Sequence, residues 1–238
     1  MNIGAIWDVI ALGPMINILI GLSDILFGSF GLTIIVLTII IRAVMFPLTR
    51  KQMNATKAMQ DIQPKMAELQ KKHAKDSKKL AEEQMKLYKE SGVSPAGCLL
   101  PMLLQMPIIF GLFALLRNPT MFIESDKMLM AVHEAFFWIP DLSQPDPWIL
   151  PILAGFSTFI SFRQTQQQQQ QQMSAMPENS MTSMMKMMQY FFPIMIVWMG
   201  RSFPAGLTVY WFIGTVLQIF QTRGLNRWRK KLIAAEKK

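Results

Sequence analysis

The chain has 238 residues, is 51% apolar, and carries a formal charge of +9. One cysteine, Cys98, excludes an internal disulfide, and His73 and His133 lie too far apart in sequence to suggest a metal site. There is no visible catalytic triad and no GxxxxGK phosphate loop, so no enzyme activity, metal, cofactor or use of ATP is expected.

Residues 1–29 contain no Lys or Arg. A secretory signal needs a basic n-region, so none is expected. Ile3, Ile6, Trp7 and Ile10 share one helical face, which predicts an interfacial helix on the outer surface. The apolar Met15–Leu22 region keeps a further span open as the alternative.

The next stretch, 30–49, reads FGLTIIVLTIIIRAVMFPLT. It is long enough to cross a bilayer, which takes ~20 mostly apolar residues. One charge, Arg42, sits near its middle. At that depth a charge costs roughly 2.5–3.5 kcal/mol on insertion scales, and a guanidinium cannot shed its proton. None of the five apolar stretches contains an Asp or Glu to pair with it. Two readings follow: the side chain snorkels toward Arg50, or it is displayed in a wet cavity inside the membrane.

Residues 50–94 hold eleven Lys/Arg against six acids. Met59, Ile62, Met66 and Leu69 recur at helical spacing, as do Leu80, Gln84, Leu87 and Tyr88. Asp76 or Ser77 suits an N-cap, Gly92 a C-terminal cap, and Pro64 a kink in the first arm. A helical hairpin is predicted, with a plain topology anchor as the bland reading.

The second span is expected at 96–116, with Pro101, Pro107 and the amide Gln105. A loop with two bases against five acids follows at 117–147, and Phe136, Phe137, Trp138 and Trp148 suit an interfacial belt. The third span, 148–162, is short and runs into Gln164 and Gln166–Gln172, read as a disordered loop extension. The fourth, 187–200, and fifth, 205–221, are joined by a tight turn and must be antiparallel neighbours. The tail, 222–238, carries seven bases and one acid. Counting Lys and Arg places the hairpin and tail in the cytoplasm and the N-terminus outside.

On the fifth span Thr208, Trp211, Thr215 and Gln218 form one helical face. On the third, Ser157, Ser161 and Gln164 do the same, with Thr158 beside them. Thr38 precedes Arg42 by four, and Gln105 lies on the second span. Any one hydroxyl could simply pack between helices. Together the stripes could converge on a groove in which Arg42 is hydrated.

The fold class expected is therefore an all-α membrane protein: five transmembrane helices, a cytoplasmic helical hairpin and an N-terminal interfacial helix, forming one domain. The segments IIIRAVMFPLTRKQ, IQPKMAELQKK, GCLLPMLLQMPI and FPAGLTVYW, in this order and spacing, resemble the YidC/Oxa/Alb membrane-protein insertases in their short bacterial form. The likeness covers nearly the whole chain. It implies a hydrophilic groove open to cytosol and lipid and closed outside, with Arg42 as its cation and Gln105 and Trp211 in its lining. It implies nascent membrane proteins with short acidic outer tails as substrates, received by the hairpin. Membrane lipids are further partners, with the ribosome and the Sec translocon as candidates; DNA and small-molecule substrates are not expected. An anion channel or transporter using the intramembrane Arg, and a scaffold whose Met-rich faces hold partner helices, are the alternatives.

Overall fold

The computed structural model describes residues 13–73, 76–92, 100–123, 126–173 and 180–236. Ile3, Ile6, Trp7, Ile10 and Cys98 lie outside them. Among the described residues the chain is all-helical, the only strand-like pairing being a single bridge between Phe136 and Ile139. The helices are α1 (Gly13–Ile25), α2 (Phe30–Val44), α3 (Phe46–Asp61), α4 (Gln63–Lys72), α5 (Ser77–Glu90), α6 (Leu100–Arg117), α7 (Asp126–Val132), α8 (Ile149–Met173), α9 (Ser180–Gly200) and α10 (Ala205–Glu236).

The expected span over 30–49 is two helices. α2 stops at Val44 and α3 starts at Phe46, with Met45 as a turn between them. Pro47 accounts for the break: it has no N–H to give, and its ring crowds the carbonyl four residues back. Arg42 consequently lies in the last turn of α2, not in the middle of a long helix. There the helix carries negative partial charge, which favours a cation by about 0.3–1 kcal/mol.

In the hairpin, α3 gives way to α4 at Ile62, with Pro64 in the first turn of α4. α4 packs against α5. Asp76 is the N-cap of α5, its Oδ1 accepting from Lys79 N–H at 3.0 Å. Gly92 follows the helix at φ +62°, a left-handed conformation that glycine adopts without strain.

α10 is the organising element. It packs against α2, α6 and α8, while α9 packs on α8 and α1 on α2 and α6. The buried core gathers at one end of this bundle. It joins Leu19 of α1, Phe30 and Ile34 of α2, Leu112, Leu115 and Leu116 of α6, Val132, Leu142 and Leu150, and Leu207 and Tyr210 of α10. The 117–147 loop closes that end. Its Leu142 and Gln144 carbonyls accept from Gly206 N–H at 2.9 Å and Ala205 N–H at 2.8 Å, capping α10. Asp146, buried, caps α8 through Trp148 and Leu150 N–H and also accepts from the Trp138 indole at 3.1 Å. Arg201, in the α9–α10 turn, stacks on Trp148 with its guanidinium carbon 4.0 Å from the ring centre.

Two expectations are corrected. The glutamine run is not a loop but the continuation of α8 to Met173, in keeping with the good helix propensity of Gln. The basic tail is not a separate segment, because α10 runs unbroken to Glu236.

Among the described residues no helix is long and apolar enough to cross a membrane. α2, with 15 residues, is about 22 Å long. α8 and α10 join an apolar half to a polar one. The bundle nevertheless exposes large apolar side chains around its perimeter: Ile39, Ile40 and Val44 on α2, Ile152 and Phe156 on α8, Phe191, Ile194 and Trp198 on α9, and Phe220 on α10. That is far more than the scattered exposure usual for a protein in water.

Candidate functional site

Toward the hairpin end the side chains between the helices turn polar. Arg42 points from α2 to α10, where Gly214 makes room for it. A Cβ on Gly214 would stand 3.2 Å from Arg42 Nη2, 3.7 Å from Nε and 3.7 Å from the Thr38 methyl. Arg42 is half-buried and within electrostatic reach of Tyr210. Its own carbonyl accepts from Gln221 Nε2 at 3.1 Å, so α10 bonds the Arg42 backbone while leaving space for its side chain at Gly214. Among the described residues Arg42 has no ion-pair partner; the one pair there is His133–Asp141. Gln105 of α6 donates from Nε2 to the Tyr210 hydroxyl, which draws α6 into the same cluster.

The predicted hydroxyls are placed differently. Thr38 donates to the Ile34 carbonyl at 2.6 Å, Ser157 to Ala154 at 2.9 Å, Thr208 to Pro204 at 3.5 Å and Thr215 to Trp211 at 2.8 Å. Each proton is thus spent on the residue's own helix, and what remains for a visitor is acceptor capacity on the oxygen. Thr158 also donates to Ala154 and accepts from the Trp211 indole at 3.3 Å, tying α8 to α10. Ser161 is half-buried and engaged, and Gln218 is half-buried. Gln164 reaches across to the Ile219 carbonyl at 3.4 Å. The buried side-chain atoms that lack a partner among the described residues, Gln164 Oε1 and Gln221 Oε1, are both at this end.

The stripe of Thr208, Trp211, Thr215 and Gln218 therefore does not meet Arg42 squarely. Its Trp211 bonds Thr158 of α8. The face of α10 that receives Arg42 lies about a third of a turn away and carries Gly206, Tyr210, Gly214 and Gln221. Tyr210, bonded to Gln105, and Gln221, bonded to the Arg42 carbonyl, were not in the polar-stripe reading. The spacing of Tyr210, Gly214 and Gln221, four and then seven, was the available signal.

A second polar cluster sits in the loop at the other end. His133 Nδ1 lies 3.0 Å from Asp141 Oδ2 and 3.1 Å from Ser143 Oγ, and Ser143 donates to Asp141 from both its N–H and its hydroxyl at 2.7 Å. Both partners meet the same ring nitrogen. An imidazole oriented by a carboxylate on one nitrogen and deprotonating serine with the other is therefore not what this cluster builds. Burial would raise the Asp141 carboxyl, but hydrogen bonds from His133 and Ser143 win and hold it below its ordinary value.

The sequence matches the family described as "60Kd inner membrane protein" over residues 22–232. It is 39% identical over 227 residues to a protein named membrane protein insertase YidC from Alkalihalophilus pseudofirmus, covering 91% of this chain and 81% of that one. A protein of the same name from Oceanobacillus iheyensis is 37% identical over 232 residues, covering 95% and 86%. A third, from Geobacter sp., is 37% identical over 202 residues; the match takes 84% of this chain but only 34% of that longer relative.

Proposed function

The chain belongs to the 60Kd inner membrane protein family, that of the YidC insertases, and on that footing we propose that it is a bacterial inner-membrane insertase working through a polar groove around Arg42. In this reading α2, α6, α8, α9 and α10 span the membrane. The 117–147 loop lies outside, and the hairpin and basic tail lie in the cytoplasm, as the Lys/Arg counts favour. The exposed apolar perimeter supports a lipid surround. The shortness of α2, about 22 Å against a hydrocarbon core of ~30 Å, favours a locally thinned bilayer.

The observation that carries the reading is the setting of Arg42: half-buried, directed at α10 beside Gly214, its carbonyl bonded by Gln221, and paired with no acid among the described residues. The bundle is apolar and packed at the loop end and polar at the hairpin end. A nascent segment with a short acidic tail enters from the polar end. Its carboxylates approach the guanidinium, where a low-dielectric surround strengthens the attraction relative to water. Gln105, Thr38, Ser157, Ser161, Thr208, Trp211, Thr215 and Gln218 line or support the path. The tail thus has a polar route halfway across, and the following apolar helix leaves sideways into lipid, its burial driving the step. No nucleotide is consumed. The hairpin receives substrates, and the basic tail offers contacts to anionic lipids and the ribosome, alongside a translocon where one takes part.

The test is reconstitution of the purified chain alone in liposomes. Insertion of a single-span substrate with an acidic tail is scored by protease protection. The insertase reading expects protected substrate. Saturable anion flux without insertion would establish a channel, and neither activity would leave a scaffold.

A further inference from the structure

We propose that the cleft between the start of α3 and the distal part of α10 binds the phosphate headgroup of an anionic phospholipid. The proposal rests on the membrane reading above. The cleft is shallow and part-open to solvent, and is lined by Arg50, Met53 and Asn54 from α3 and by Leu225 and Trp228 from α10.

Arg50 lies over the indole of Trp228, its guanidinium carbon 4.5 Å from the ring centre. This contact partly desolvates and immobilises the cation, so less freedom is lost when its planar fork takes a phosphate. The surroundings are of one sign. Arg50, Lys51, Arg223 and Arg227, all exposed, stand close in sequence to the lining residues, and each basic residue near an anionic leaflet contributes about 1 kcal/mol of attraction. The depth also fits. Arg50 comes six residues after α2 ends at Val44, where the apolar faces give way to charge, and a half-exposed tryptophan is the residue of that boundary.

Lipid is favoured over RNA because Met53, Leu225 and the indole make much of the lining apolar, which suits a glycerol backbone. One face of the indole, on which a base would stack, is already taken by Arg50.

The experiment compares retention of phosphatidylglycerol and phosphatidylcholine by the purified full-length chain in mild detergent, read by native mass spectrometry. Wild type should keep one phosphatidylglycerol in preference to phosphatidylcholine. Arg50→Gln should retain about tenfold less, the usual scale for losing a charged hydrogen-bond donor. Arg50→Lys should fall between the two, and Arg117→Gln, at the loop end of the bundle away from the cleft, should match wild type. The Lys variant carries the test if the Gln variant does not fold. Equal retention of the two lipids, wild-type retention by both Arg50 variants, displacement by equimolar inorganic phosphate, or Arg50-dependent displacement by a short RNA would each overturn the proposal. The readout is binding and not insertion, so this site and the insertase reading fail separately.

Discussion

Gly214 gives the most direct handle on the position of Arg42. In Gly214→Ala the new Cβ meets Arg42 Nη2 at 3.2 Å, a few tenths of an ångström closer than a relaxed contact. The end of a long side chain can yield by that much. The helix meanwhile gains up to about 1 kcal/mol from replacing an interior glycine, so Ala should fold at least as well as wild type and insert nearly as well. Gly214→Leu is the sharper perturbation. Its branch carbons stand roughly 2.5 Å beyond Cβ, in the volume the guanidinium occupies, and Arg42 must swing away from α10. Moving a cation from about 4 to about 7 Å from a carboxylate at an effective dielectric of 20 forfeits about 2 kcal/mol, which predicts a roughly tenfold or greater loss of insertion for an acidic-tailed substrate. A neutral-tailed form should lose little. The assay is protease-protected insertion in liposomes at matched protein levels, with unfolding in detergent measured alongside. Wild-type insertion of the acidic substrate by Gly214→Leu would refute the idea that α10 positions Arg42. Equal loss on both substrates would point to damage to the bundle instead.

Tyr210→Phe removes the acceptor for Gln105 Nε2 and should destabilise by about 1–2 kcal/mol, read by chemical unfolding in detergent; no change would mean that the two helices do not depend on this bond. Asp146→Ala strips Trp148 and Leu150 N–H and the Trp138 indole of their acceptor and should cost at least about 1–2 kcal/mol, with Asp146→Asn recovering part of it. Asp141 is held below its ordinary value, so its contribution is fully present above about pH 3.9 and is lost as pH falls through the lower folded value. Asp141→Asn should therefore flatten the acid limb of the stability profile, and an unchanged limb would show that other carboxylates set it.

Much of this architecture was legible because local chemistry decided it. Asp76 as a cap, Gly92 at positive φ and the break at Pro64 follow from backbone rules that need no tertiary context. Hydropathy located the cores of the apolar helices for the same reason. What escaped depended on neighbours. The polar pattern on α10 pointed to the Thr208–Gln218 face, but Tyr210, an aromatic residue inside a buried cluster, is the one that bonds Gln105. The stripes were read as converging on a groove because a sequence does not reveal that Thr38, Ser157 and Thr215 each donate to their own helix. Apolar content alone suggested one span over 30–49, whereas Pro47 divides it and moves Arg42 to a helix end. The glutamine run was judged by its low complexity, while its intrinsic propensity and the helix before it extend α8.

The central claim is that the charge of Arg42 draws acidic segments into the groove. The most direct measurement is insertion of one substrate in two forms, acidic and neutralised, by wild type, Arg42→Lys and Arg42→Ala at matched folded protein. Lys keeps the cation without the fork and should retain much of the activity. Arg42→Ala should insert the acidic form several-fold less well and the neutral form almost as well as wild type, with folding preserved because no ion pair is broken. Equal loss on both forms, or loss of folded protein, would contradict the account and leave Arg42 a structural residue.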